Sequence, residues 1–206
     1  MPKDPPGDGT FGFQDLLHLL DPDRFREALE KHLATAHARV GQEFVTRTVT
    51  TITRKKPFDP NAPLTVALKG SSTPLVDRGD LVSRITFEVV SAVRVRLGIA
   101  SPKLDAGKGR YLYEVLHNGA TIPVTPAMRA AVMAKLQEKM GDEAFDRMAD
   151  FFRNGPSRGF WVIPPRPFLK HTFERPDFWK AALGHYRDAV ERAIEDGLPS
   201  NLPRSS

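Results

Sequence analysis

The chain has 206 residues, a length that suits one folded domain able to bury roughly 70% of its unfolded surface. It has no cysteine, which excludes a disulfide framework, a thiolate nucleophile and a zinc–thiolate site, and no apolar run is long enough to cross a membrane. The formal charge of +5 suits an acidic partner such as nucleic acid, but basic and acidic residues are interleaved, which is more typical of solvated helix faces.

Residues 1–10 are rich in proline, glycine and aspartate and are predicted to form a flexible tail. They lack the basic-then-apolar pattern of a secretory signal, so we expect an intracellular protein. Asp21 and Pro22 are residue types that cap a helix and occupy its first position. Beyond them, apolar residues recur every three or four positions, which predicts one buried stripe on a long helix: Phe25, Leu29, Leu33, Ala36, Val40 and Phe44.

The end of this first helix is left open by the sequence VTRTVTTIT that follows Phe44. Its β-branched residues lose rotamer freedom in a helix and fit a strand better, so both a helix and a strand are compatible with residues 45–53. Prolines and glycine in residues 55–74 then predict an irregular connection.

Two strands are predicted between residues 85 and 100. Apolar residues alternate with polar ones over two runs, and the apolar members are Ile85, Phe87, Val89, Val93, Val95 and Leu97. Arg94 and Arg96 separate the last three. This alternation favours two strands with one buried face each, joined near Ser91-Ala92 and ended by Pro102, which cannot donate to a ladder.

A short helix is predicted from GRYLYEVLHN, with Gly119 as its C-terminal cap at positive φ and a strand fragment after it. Thr125-Pro126 then begins a helix with an apolar side made of Met128, Val132, Leu136 and Met140. Asp142 begins another, with Phe145, Met148 and Phe152. We interpret this helical pair, at about 126–153, as an insertion.

The stretch GFWVIPPRPFL at 159–169 combines an apolar run that suits a strand with three prolines around one arginine. The prolines hold the chain extended and remove backbone donors, so the segment cannot add another ladder. Arg166 is therefore expected at a fixed angle, with its planar fork able to take a carboxylate bidentately. That carboxylate could belong to the same domain or to a neighbouring subunit.

Phe168 and Leu169 are expected to anchor the turn into a final helix, which stops at Gly197. The residues predicted to face the core from this helix are Phe178, Ala182, Tyr186, Val190 and Ala193. Residues 198–206 are predicted to be a flexible tail. The elements together predict an α+β fold over residues 11–197: a small, mostly antiparallel sheet packed by a long N-terminal helix, a C-terminal helix and the inserted helical pair.

No catalytic, cofactor or metal site is predicted. A G-x-G-x-x-G match at residues 7–12 has no strand before it, so chance explains it best. His32 and His37 lie five residues apart, on different sides of a helix, and we expect His117 to help satisfy helix-end carbonyls. Asp77 and Asp80 flank Gly79, where capping of a short helix is a simpler explanation than metal binding. A hydrolase using Asp77, Asp80 and His117 is the remaining enzyme hypothesis.

The alternative function is a basic DNA-binding protein that uses Arg94, Arg96 and neighbouring lysines. These arginines share one strand face but have no exposed aromatic residue between them for stacking on bases. Protection of an edge strand by positive charge explains them equally well.

Three segments, in this order, resemble the phage virion morphogenesis family. STPLVDRGDLVSRITFEV resembles a block in which Pro-Leu, a hydrophobic residue and Asp-x-Gly-x-Leu precede a strand. GRYLYEVLHNGATI is similar to the next block, where a tyrosine-containing turn of helix ends in an aliphatic–polar–Gly step, and VIPPRPFL resembles the closing motif Pro-x-Arg-Pro-Phe-Leu. The match covers roughly residues 57–195; Lys170, where the family more often has glycine, and the longer insertion at 126–153 depart from the pattern.

The resemblance, whose members include tail completion proteins of Mu-like phages, implies a structural virion protein of the head–tail joining region. It would act in tail completion, as a tail terminator or as a neck ring, without catalysis, cofactor or membrane. It implies a ring of copies, six by the resemblance, that contacts the tail tube protein and neck or connector proteins, with any DNA confined to the lumen. Its location would be the virion, and the host cytoplasm during assembly. The expected interface residues are Pro165, Arg166, Pro167, Phe168, Leu169, Asp77, Asp80, Arg94 and Arg96.

Overall fold

The computed structural model describes residues 20–54, 58–61, 63–69, 75, 79–100, 112–139, 145–146 and 159–198. Several predictions concern residues outside these ranges: the tail at 1–10, nearly all of the tail at 198–206, Asp77, Met140, and the second inserted helix apart from residues 145–146. Among the described residues, no helix is both long and apolar enough to cross a membrane.

The described elements follow one another as helices interrupted by two pairs of strands. In chain order they are α1 (Pro22–Thr53), α2 (Pro63–Lys69), a 3₁₀ turn (Val82–Arg84), β1 (Ile85–Ser91), β2 (Arg94–Ile99), α3 (Leu112–Asn118), β3 (Ala120–Pro123), α4 (Pro126–Lys139), β4 (Phe160–Ile163), α5 (Phe168–Phe173) and α6 (Pro176–Gly197). β1 pairs with β2, and β3 pairs with β4, as two antiparallel ribbons. The predicted α+β class, with a long N-terminal and a C-terminal helix, is confirmed.

α1 begins and continues for physical reasons that differ along its length. Asp21 caps it, because its carboxylate accepts hydrogen bonds from the amides of Asp23 and Arg24 at 3.0 and 3.1 Å. The stretch left open by the sequence is helical as far as Thr53. Burial decides this outcome: Thr48 and Ile52, four residues apart, are both fully buried. The hydroxyl of Thr53 also donates to the carbonyl of Val49 at 2.9 Å, which a threonine can do within a helix.

The described residues divide into two compact units. Of these residues, the first unit contains 20–42, Glu88–Arg96 and 179–198. The second contains Glu43–Phe87 and Leu97–Phe178. The prediction of one domain over 11–197 stays a prediction, and each unit is described by itself below.

The core of the first unit consists largely of alanines from α1 and α6: Ala28, Ala36, Ala182, Ala189 and Ala193. Side chains this small let two helices approach closely. Gly197 continues this approach, since a Cβ there would lie 3.0 Å from the Cβ of Phe25. His37 is buried beside them with its ring edge-on to Tyr186, the ring centroids 5.3 Å apart, and this burial lowers the pKa of His37.

The core of the second unit is built from large side chains. The ring of Phe173 stacks on Phe44 at 5.3 Å and meets Phe178 edge-on at 6.0 Å. Beside them the hydroxyls of Thr48 and Thr172 share a buried hydrogen bond of 2.9 Å, so neither polar group is left unsatisfied. α2 and α4 pack on each other in the same unit, and Leu136 of α4 is fully buried.

Two residues predicted to be buried are exposed. Val190 is 41% exposed, and the buried residue at this level of α6 is its neighbour Ala189. Val93 is 81% exposed because it lies in the turn between β1 and β2, not on the inward face of β2. The helix and the strand were therefore predicted correctly, but the buried position on α6 is one residue earlier than predicted, and β2 begins one residue after Val93.

An ion-pair network ties α1 to the start of α6 within the second unit. The Arg47 guanidinium donates to Glu43 at 2.6 Å and also to Asp177. Arg175 donates to both oxygens of Asp177 at 3.0 and 2.8 Å. The hydrogen bonds from Arg175, and then those from Arg47, hold the pKa of Asp177 well below its usual range.

We predict that Asp177→Asn lowers the thermal midpoint at pH 6 and that this effect shrinks with acidification. A carboxyl group whose pKa is lowered by folding stabilises the protein above its unfolded pKa of about 4, and that contribution is lost as the pH falls toward the folded value. Thermal unfolding of both proteins at pH 6, 4 and 3 measures the difference. Asp188→Asn, elsewhere on α6, is the charge-matched control; an equal effect of both changes at all three pH values would contradict the prediction.

Candidate interface at the proline corner

The residues resembling the closing motif form a corner, defined here as residues 164–169, that follows directly on a strand pair. β3 and β4 run antiparallel, with Ala120 opposite Ile163 and Pro123 opposite Phe160. The pairing extends one step further, since the amide of Val124 donates to the carbonyl of Gly159 at 2.9 Å. β4 ends where Pro164 and Pro165 remove two consecutive donors, as the sequence predicts.

Gly119 is the point of closest approach between the corner and the end of α3. Its φ of +75° confirms the predicted helix cap, since this left-handed conformation favours glycine. A Cβ at this position would lie 2.8 Å from the carbonyl oxygen of Ile163 and 2.9 Å from the nitrogen of Pro165. Glycine is therefore required here twice, by its backbone conformation and by the lack of space.

Backbone hydrogen bonds then join the corner to α3 and begin the next helix. The amide of Arg166 donates to the carbonyl of Leu116 at 2.9 Å. Because residues 164, 165 and 167 are prolines, Arg166 has the one backbone N–H of this four-residue stretch, and it is used in that bond. Phe168, the first residue of α5, is fully buried and meets the ring of His117 edge-on at 5.5 Å. The prediction that Phe168 anchors this turn is confirmed; Leu169 is half-buried and Pro165 is exposed.

The guanidinium of Arg166 lies inside its own chain. The residue is only 8% exposed, and its Nη2 donates to the amide oxygen of Asn61 at 3.2 Å. Its Nε is buried and makes no hydrogen bond to any residue that the structure describes. Burial lowers the pKa of Arg166, while the nearby charge of Asp59 acts in the opposite direction. Within the described part of the chain, no carboxylate lies within ion-pair distance, so the bidentate partner expected from the sequence is replaced by an amide.

His117 plays a packing role that the sequence did not indicate. The sequence predicts that it satisfies carbonyls at the end of α3, but its Nδ1 is buried and has no hydrogen-bond partner among the described residues. Burial lowers the pKa of His117, and the positive charge of Lys170 lowers it further. The imidazole is therefore held in its neutral form against Phe168 at neutral pH.

The other predicted site residues lie on exposed turns and strands. Asp80 is exposed, and the 3₁₀ turn after it has Leu81 at its N-cap with no side-chain bond. Of the two predicted capping residues, Asp80 therefore does not cap this turn, and Asp77 lies outside the described residues. Arg94 and Arg96 are both exposed on β2, and Arg96 pairs with Glu88 across the hairpin at 2.7 Å. That pairing partly neutralises the positive surface on which the DNA-binding alternative depends.

In the part of the chain that the structure describes, no group of three or more histidine or acidic side chains is arranged to hold a metal ion. No hydrogen bond among the described residues joins Asp80 to His117, and Asp77 lies outside them. Sequence reasoning missed Asn61 as the partner of Arg166. No local signal could have found it, because the two are 105 residues apart and the contact is between side chains.

No family model matches the chain, and no curated protein or solved structure is significantly similar to it.

We predict that Gly119→Ala destabilises the protein by about 2–4 kcal/mol, the combined cost of a left-handed alanine and of backbone displacement around the new methyl group. Urea unfolding followed by circular dichroism measures the loss. Gly184→Ala in the middle of α6 is the matched control, since a Cβ there meets nothing within 4 Å and alanine favours a helix by roughly 0.5–1 kcal/mol. Equal stability of the two variants would contradict the close approach.

We predict that Arg166→Ala destabilises the protein by about 1–3 kcal/mol, because it removes buried packing and the hydrogen bond to the Asn61 amide oxygen. Arg166→Met keeps most of the packing and removes the buried charge, so it should cost less. Denaturant unfolding of both variants beside Arg94→Ala, an exposed arginine, gives the comparison. If Arg166→Ala is as harmless as Arg94→Ala, the arginine points outward and is not held by Asn61.

Proposed function

We propose that this protein is a non-catalytic structural protein of the phage head–tail joining region, acting in tail completion, as a tail terminator or as a neck ring. The proposal begins with the resemblance of three segments to the phage virion morphogenesis family. One structural observation supports it above the others. The second and third of these segments, distant in sequence, fold directly against each other at Gly119 and Pro165, where a Cβ has no room.

The internal roles of the closing-motif residues explain why such a motif marks a structural protein. The amide of Arg166 secures the corner to α3, and its side chain reaches Asn61 in the segment at 58–61. Phe168 closes the core beneath it. Proline, arginine and phenylalanine are thus used to hold three parts of one chain in a fixed shape. Because these contacts give every copy of the chain the same shape at the corner, they support a role in a repeating assembly.

In the proposed role, copies of the chain form a closed ring, of six by the resemblance, through contacts between unlike surfaces of neighbouring copies. One side of the ring would meet the tail tube protein and the other the neck or connector proteins, with DNA only in the lumen. The protein would be found in the virion, and in the host cytoplasm while particles assemble. The corner would then contribute to an interface through its outer residues, Pro165 and Leu169, held in place by the buried Arg166.

Deletion of the gene from the phage that encodes it tests the proposal. We expect DNA-filled heads and separate tails to accumulate, visible by negative-stain electron microscopy, and infectious titre to fall by several orders of magnitude. The wild-type gene and Gly184→Ala supplied from a plasmid should restore joined particles, while Gly119→Ala should restore few. Mass spectrometry of purified virions should detect the protein, and mass photometry of the purified chain should detect a ring.

The proposal fails if the deletion phage makes normal numbers of joined, infectious particles. It fails equally if the protein is a strict monomer that is missing from purified virions. In that case, salt-dependent binding to generic duplex DNA at low ionic strength would support the DNA-binding alternative, since contacts to phosphates weaken steeply as salt rises.

A further inference from the structure

The last helix carries a row of exposed apolar side chains that its own unit does not bury. Leu183 is 67% exposed and Val190 is 41% exposed, and Trp179 is half exposed. Single exposed apolar residues are ordinary on protein surfaces. These three residues are different because they lie four and seven positions apart, which aligns them along one side of α6. They are called the α6 stripe below.

The α6 stripe lies beside the buried face of the helix and extends it. The alanines Ala182, Ala189 and Ala193 point into the first unit, whereas the stripe lies one step further around the helix. The spacing of 179, 183, 186 and 190 alternates between four and three residues, as in the seam of a coiled coil. From Trp179 to Val190 the stripe is about 16 Å long, equal to three helical turns. Its shape therefore suits another helix lying alongside.

The charges beside the stripe indicate what such a helix would carry. Lys180 and Arg187 are seven residues apart, so both lie on the same solvent side of the stripe, and both are exposed. In paired helices, residues that flank the seam select the partner by charge. Lys180, together with Arg187, whose charge is partly neutralised by Glu191, favours carboxylates on the partner. The two cations disfavour antiparallel pairing of this stripe with the same stripe of a second copy, which would set like charges together.

The acidic residues of α6 argue against other anionic partners. Glu191 accepts a hydrogen bond from Arg187 at 2.7 Å, and Asp188 directly follows Arg187 in the sequence. A nucleic acid or an anionic lipid surface would bring a continuous array of phosphates against these carboxylates. A helix can place single carboxylates beside Lys180 and Arg187 and avoid Glu191.

We propose that the α6 stripe is a docking site for an amphipathic helix of a different protein, one whose apolar seam is flanked by aspartate or glutamate. This inference goes beyond the proposed role at the head–tail joint, since it identifies the partner by its chemistry. The proposed docking does not depend on the head–tail role, because an amphipathic helix could bind the stripe whether or not the chain forms a ring.

The test uses the full chain and two designed peptides of 21 residues. Both have leucines at the seam positions of three heptads, and they differ only in carrying glutamate or lysine at the flanking positions. Fluorescence anisotropy of the labelled peptides should show the glutamate peptide binding about tenfold more tightly than the lysine peptide. The double variant Lys180→Glu/Arg187→Glu should reverse that preference. Leu183→Asp should weaken binding of the glutamate peptide at least about tenfold.

Val93→Asp is the matched control, because it places the same charge on another highly exposed apolar residue, at the hairpin turn, and should leave binding unchanged. Circular dichroism verifies that the variants stay folded, as expected for substitutions at exposed positions. The proposal is overturned if the glutamate peptide does not bind, if both peptides bind equally, or if Leu183→Asp has no effect. Binding of the chain to vesicles of phosphatidylglycerol and phosphatidylcholine that Leu183→Asp abolishes, without peptide binding, would assign the stripe to a lipid surface instead.

Discussion

The second unit depends on the close approach of two backbone segments at Gly119. The carbonyl of Ile163 and the nitrogen of Pro165 both lie within 3 Å of where a Cβ would be. This contact holds the end of α3 against the start of the corner. The β3–β4 pairing begins at the next residue, where Ala120 lies opposite Ile163. The amide of Arg166 then donates to the carbonyl of Leu116, near the end of the helix that Gly119 terminates.

Burial of Arg166 follows from the same constraint and has a cost. A guanidinium taken out of water needs hydrogen-bond acceptors on several sides. Its Nε has none among the described residues, and its Nη2 donates to a neutral amide. The nearby charge of Asp59 offsets part of this cost. The prolines on both sides restrict the backbone before folding, which lowers the entropy lost when the corner forms. Rigidity from proline and incomplete compensation of a buried charge therefore occur together in one short segment.

The sequence was informative wherever a local rule decides the structure. Asp21, Gly119 and Thr125 act as caps as predicted, since a cap involves residues only two or three positions apart. It was uninformative where distant contacts decide. The threonine-rich end of α1 is helical because Thr48 and Ile52 are buried, in the case of Thr48 against Thr172, 124 residues away. The amide partner of Arg166 was not predicted for the same reason, because Asn61 belongs to a separate part of the sequence.

A recognisable motif and a binding surface need not be the same residues. In this chain the arginine and the phenylalanine of the stretch that resembles the closing motif, Arg166 and Phe168, are both buried and make contacts within the chain. The α6 stripe carries no motif at all, since a leucine and a valine seven residues apart are common in any helix. Its exposure is a property of the folded chain, created because alanines at the adjacent positions take the buried face. Substitutions on an exposed stripe can change what is bound without disturbing the core, so the buried corner and the proposed docking surface can vary separately.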